Sequence, residues 1–90
     1  MFEPSYDHLF SFLKSIDFED TSPSDFERVF ARKDMDIILA FSMLDDATTT
    51  RNVRPADLLS TETRLVHHGL IAADSLVELM RKKYADEKAR

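Results

Sequence analysis

The chain has 90 residues, of which 43% are hydrophobic and 32% charged, and this balance is typical of a folded domain rather than of a disordered segment. It contains no cysteine, which excludes disulfides, Cys-ligated zinc sites and iron–sulfur clusters. Eleven acids and four bases in residues 1–50 give a balance of −7, whereas six acids and eight bases in residues 51–90 give +2; a global basic field that binds nucleic acid is therefore absent.

Amphipathic periodicity predicts a first helix from Pro4 to about Asp17. A proline suits the first helical position because the N–H that it lacks has no partner there. At 100° per residue, one continuous face is formed by Tyr6, Leu9, Phe10, Phe12, Leu13 and Ile16. Residues 18–23 form the connection that follows, and acidic side chains gather around it at Asp17, Glu19 and Asp20.

A second helix is predicted to run to about Lys33; it begins either with Ser22 as a cap before Pro23 or with Ser24 and Glu27 as a capping box. Cations before acids at Lys33–Asp34 favour a break or kink there, although one continuous helix from residue 24 to 44 is the alternative. The stretch DMDIILAFSML, residues 34–44, is apolar on every side and is interpreted as a third helix that its neighbours surround.

The polar residues 45–54 predict an exposed loop, and Pro55 starts a new helical turn. A final helix is predicted from residue 60 or 61 to Tyr84, with Glu62 in its first turn and a wide apolar face. Together these elements predict an all-α fold: residues 1–90 form a single helical domain, a compact bundle of four or five helices with a long C-terminal helix.

The length of that final helix predicts an interface. At 1.5 Å per residue it measures about 36 Å, whereas a compact domain of this size is about 30 Å across. Its overhanging end would stay apolar, so a partner, most simply a second copy in a homodimer, is expected to cover it. The predicted contact residues on the final helix are Ile71, Leu76, Met80 and Tyr84, and a second contact is predicted at the acids Asp17, Glu19 and Asp20.

No enzyme signature is found in the sequence: there is no Gly-rich phosphate loop, no cysteine nucleophile and no spaced set of metal ligands. His67 and His68 are adjacent, so on one helix they point about 100° apart and do not share a metal ion. We therefore expect no catalytic residue, no cofactor and no small-molecule substrate.

The sequence accordingly predicts a small, cytoplasmic, regulatory protein–protein interaction module, an adaptor or inhibitor, that forms a homodimer. A membrane span and a signal sequence are not expected. The alternative is a small DNA-binding transcriptional regulator that uses residues 48–64, where Arg51, Arg54 and Arg64 could contact phosphates.

Overall fold

The first helix, α1, spans Tyr6–Ser15 in the computed structural model, which describes residues 1–88. Ser5 is its N-cap, since its hydroxyl accepts the backbone N–H of His8 while the His8 ring accepts the backbone N–H of Ser5. The predicted helix is confirmed, although Pro4 precedes the cap and does not occupy the first helical position.

The prediction of an all-α helical bundle is wrong, because the chain forms a three-stranded antiparallel sheet in the order β1–β2–β3. The strands are β1 Glu19–Asp20, β2 Glu27–Arg32 and β3 Ile37–Ser42. The segments predicted as the second and third helices are thus strands, and the protein has an α+β fold.

The apolar stretch at residues 34–44 is a strand with one buried face and not a central helix. A 3₁₀ turn at Lys33–Met35, close to the predicted break, leads into it, and Asp36 closes the turn with a φ of 56°. Asp adopts this left-handed conformation more readily than most residues. Side chains of a strand alternate between two faces. The buried ones in β3 are Ile37, Leu39 and Phe41.

A loop without regular structure follows β3 at residues 43–54, as was predicted for residues 45–54. The second helix, α2, spans Pro55–His67. Its first position is occupied by Pro55, where a new helical turn was predicted, whereas the final helix was predicted to begin only at residue 60 or 61.

The prediction of a single long C-terminal helix is also wrong, because this part of the chain forms two helices, α2 and α3, and α3 spans Leu76–Lys88. Gly69 follows the end of α2 with a φ of 73°, a conformation that glycine adopts without strain. Glu62 lies inside α2 and not in a first turn. Its carboxylate accepts the backbone N–H of Leu76 at 3.1 Å and so satisfies a free donor at the start of α3.

The predicted overhang disappears with the long helix. The Cα radius of gyration is 12.6 Å and the principal extents are 36 × 30 × 21 Å. Each helix within residues 1–88 is too short or too polar to cross a lipid bilayer.

The hydrophobic core lies between the inner face of the sheet and the helices. At its centre the ring of Phe10 stacks on Phe30 with centroids 4.8 Å apart and lies 5.4 Å from the ring of Phe41. Helices α2 and α3 add Leu65, Leu76, Met80 and Tyr84 to the same cluster. The core therefore uses one face of the sheet.

Candidate protein-binding surface

The other face of the sheet, which we call the open face, is exposed to solvent. Its outward-pointing side chains on β2 and β3 are Glu27, Val29, Ala31, Ile38, Ala40 and Ser42. Ile38 is the most prominent, with 59% of its surface exposed, while Val29 and Ala31 are half-buried beside it. Apolar side chains thus occupy the centre of a face that water reaches, as at many protein-binding surfaces.

The outer edge of β3 carries backbone groups that no strand within residues 1–88 pairs. The N–H of Met43 donates to the carbonyl of Phe26 at 2.8 Å, and this bond shows which residue pairs of the β2–β3 ladder are hydrogen-bonded. Hydrogen-bonded and non-hydrogen-bonded pairs alternate in antiparallel strands. The backbone groups that point away from the sheet are consequently those of Ile38, Ala40 and Ser42.

Little else in the described part of the chain occupies this edge. The guanidinium of Arg54 donates to the Ser42 carbonyl. No strand or isolated bridge within residues 1–88 pairs with the outer side of β3. The edge therefore presents a row of backbone donors and acceptors to solvent.

A groove of about 390 Å³ lies where β3 meets the loop. It is lined by Ser24, Phe26, Glu27, Ala40, Phe41, Ser42 and Leu44. Phe26 is 52% exposed and Leu44 is 78% exposed, so two large apolar side chains flank a groove whose other members include the small Ala40 and Ser42. A groove with such walls can accept an apolar side chain.

Acids surround this surface without ion pairs to described side chains: Glu19, Asp25, Glu27 and Asp36. Glu19 lies opposite Ala31 in the register, and Asp36 directly precedes β3. Lys33, in the turn, is also exposed. The surroundings of the open face are therefore net negative.

The contact residues predicted on the C-terminal helix lie inside the protein. Leu76, Met80 and Tyr84 belong to the core, and Ile71 is partly buried against it. Leu76, Met80 and Tyr84 therefore present little surface to a partner while the chain is folded, whereas part of Ile71 remains accessible.

Two of the three predicted acidic contact residues lie near arginines of the sheet, although the side chain of Asp17 remains 83% exposed. Asp20 accepts the Ser22 hydroxyl at 2.5 Å and lies 3.1 Å from the guanidinium of Arg28. The bond from Ser22, aided by Arg28, keeps the pKa of Asp20 below its ordinary value. Asp17 lies 3.9 Å from Arg32. Glu19 differs from both, since it points to the same side of the sheet as the open face.

The segment predicted as the alternative DNA contact, residues 48–64, is joined to α1 by a polar network. Arg54 donates to the Tyr6 hydroxyl at 3.0 Å, to Asp57 at 3.2 Å and to Asp45 at 3.0 Å. Tyr6 donates to Asp57 at 2.5 Å, and burial together with this hydrogen bond raises the pKa of Tyr6.

Arg51 is engaged in the same region. It lies over the Tyr6 ring at 5.0 Å and pairs with Asp45 at 3.3 Å and Asp46 at 4.0 Å. Arg51 and Arg54 are thus turned to acids of the chain itself, whereas Arg64 is exposed on α2. This geometry ties the loop to the core and does not gather free cations for phosphate contacts.

The histidines form no metal site with the described acids. The rings of His67 and His68 meet edge to face with centroids 5.2 Å apart, and the His8 ring stacks on Tyr84 at the same distance. Within residues 1–88, no group of three or more His, Cys, Asp or Glu residues is arranged to hold a metal ion.

Comparisons of this chain with protein-family models, with curated proteins and with solved structures found no match. The open face and the edge of β3 were not predicted from the sequence. The signal that could have revealed them is the alternation of buried and exposed positions through residues 37–42, which has the period of a strand.

Proposed function

We propose that this chain is a small protein-binding module, regulatory and without catalytic activity, that contacts its partner through the open face and the outer edge of β3. The observation that carries the proposal is the combination of an exposed apolar sheet face with an unpaired edge strand. A cytoplasmic location is part of the proposal, and the cysteine-free composition supports it because small secreted domains commonly depend on disulfides.

The sequence of β3 supports a binding role for its edge. Natural proteins protect exposed edges with charged residues, proline or a bulge, because an open edge pairs with other chains. β3 reads IILAFS and contains neither a charge nor a proline along its six residues. An unprotected edge of this length is a liability unless a partner uses it.

The predicted homodimer stays a prediction, but its original basis is gone. It depended on an overhanging C-terminal helix, which the fold replaces with two shorter ones. Two copies that met through their open faces would also bring together acids such as Glu27 and Asp36, which opposes association.

Site-specific photo-cross-linking in the cells that produce the protein tests the proposal. We expect a photoreactive residue at Ile38 to give a discrete protein adduct, because this side chain lies at the centre of the open face. The matched control is Leu59 on α2, which is 67% exposed and lies outside the open face. An adduct of twice the chain mass would identify a second copy, and the absence of any discrete adduct at Ile38, or equal adducts at both sites, would contradict the proposal.

A further inference from the structure

We infer that the partner supplies an extended, positively charged segment that joins the sheet as a fourth strand beside β3 and places one apolar side chain in the groove. This inference rests on the proposed function and specifies the chemistry of its partner.

The outward-pointing backbone groups of β3 favour pairing with an added strand. The N–H groups of Ile38, Ala40 and Ser42 and the carbonyls of Ile38 and Ala40 point outward from β3. They recur every second residue, about 7 Å apart, which is the repeat that an added strand presents in return. Main-chain bonds of this kind supply affinity for an extended peptide of almost any sequence.

The groove supplies selectivity. It lies where the start of β2 meets the end of β3, with Ala40 and Ser42 of β3 among its lining residues and the exposed Phe26 and Leu44 flanking it. Alternate side chains of an added strand point to the same side as the open face. A large aliphatic or aromatic side chain of the partner would fill the groove and cover Phe26 and Leu44.

The acidic residues around the open face favour a partner strand with basic residues. Glu19, Glu27 and Asp36 surround the open face without ion pairs to described side chains, whereas Asp45 beyond the end of β3 is held by Arg51 and Arg54. Lysine or arginine residues that flank an uncharged centre therefore complement this surface.

A second copy fits less well. Two copies joined through the outer edges of their β3 strands would bring together two surfaces that both carry acids without ion pairs to described side chains, among them Glu27 and Asp36. Like charges placed opposite each other weaken such pairing.

Titration with synthetic peptides, followed by amide NMR, tests this inference. The probe is Lys-Lys-Val-Thr-Leu-Thr-Val-Lys-Lys. The controls are the same peptide with Glu in place of each Lys, and the basic peptide with Pro in place of Leu. We expect the basic peptide to bind on the order of tenfold more tightly than the acidic one at low salt. Its binding should shift the amide signals of Ile38, Ala40 and Ser42, and the proline peptide should bind weakly.

Three variants of the chain provide further tests. Ala40→Pro removes an outward N–H without removing a bond to β2, so it should abolish peptide binding, while Leu59→Ala, on α2 outside the open face, should retain it. Glu27→Lys should weaken the binding of the basic peptide and strengthen the binding of the acidic one. This reversal does not depend on how well Ala40→Pro folds.

Equal binding of the basic and acidic peptides, or signal shifts confined to α2 and α3, would overturn the inference. Edge amides whose signals change with protein concentration before any peptide is added would assign the edge to a second copy and overturn it as well. If no peptide binds but cross-linking at Ile38 still captures a partner, the inference fails while the proposed function stands. If no peptide binds and cross-linking at Ile38 captures no partner, the inference and the proposed function both fail.

Discussion

Replacing Phe30 by alanine is expected to lower the free energy of unfolding by about 3–5 kcal/mol. Phe30 is fully buried, and its ring contacts Phe10 of α1 and Phe41 of β3. Truncation leaves a cavity between the sheet and α1 that rigid neighbours fill only in part. A chain of this length is stable by about 5–13 kcal/mol, so the loss is a large share of the total.

Phe26→Ala is the matched control, because it makes the same chemical change close by in the sequence, just before β2. Phe26 is half-exposed at the groove, and its truncation should cost less than about 1 kcal/mol. Urea unfolding followed by circular dichroism gives both values. Similar losses in the two variants would contradict the assignment of Phe30 to the core and of Phe26 to the surface.

Met80→Glu is expected to leave the chain largely unfolded at neutral pH. Met80 is fully buried in the core, so the variant loses its packing, about 2–5 kcal/mol, and also introduces an unpaired charge there, at a further cost of several kcal/mol. The loss of structure should be independent of protein concentration, since the side chain packs within one chain. Circular dichroism over a dilution series measures this.

Leu79→Glu adds the same charge to the neighbouring residue of α3, which is 36% exposed. We expect this variant to remain folded with a loss below about 1 kcal/mol. If Met80→Glu instead gave a folded monomer, Met80 would lie at a surface, as the prediction of a C-terminal interface required.

The sequence identified the elements whose signals are local. The face of α1 follows the helical period from Tyr6 to Leu13, and Pro55 marks the start of α2. The polar loop before Pro55 was predicted for the same reason: polar residues in a row leave no face to bury.

The sheet was missed because a short apolar run has no unique period. Residues 37–42 are apolar apart from Ser42, and they suit a buried helix as well as a strand. The chain also has only one glycine, the residue that most readily adopts the left-handed conformations of tight turns. The fold instead uses aspartate in left-handed conformations, at Asp17, Asp36 and Asp74.

The sequence contains two signals of the break between α2 and α3. Gly69 is a common residue after a helix end, and residues 75–78 read SLVE, the pattern of a capping box. The wide apolar face outweighed both, because two short helices that pack on the same core show the same apolar positions as one long helix. The open face depends on the sheet and could not be predicted without it.

Amide hydrogen exchange along β3 in the free chain tests most directly whether this edge is open to a partner. We expect slow exchange at Ile37, Leu39 and Phe41, whose N–H groups face β2, and fast exchange at Ile38, Ala40 and Ser42, whose N–H groups face solvent. Bound partner should slow the second set and leave the first unchanged. Slow exchange at all six amides in the free chain would show that the edge is already covered and would contradict the proposed binding role.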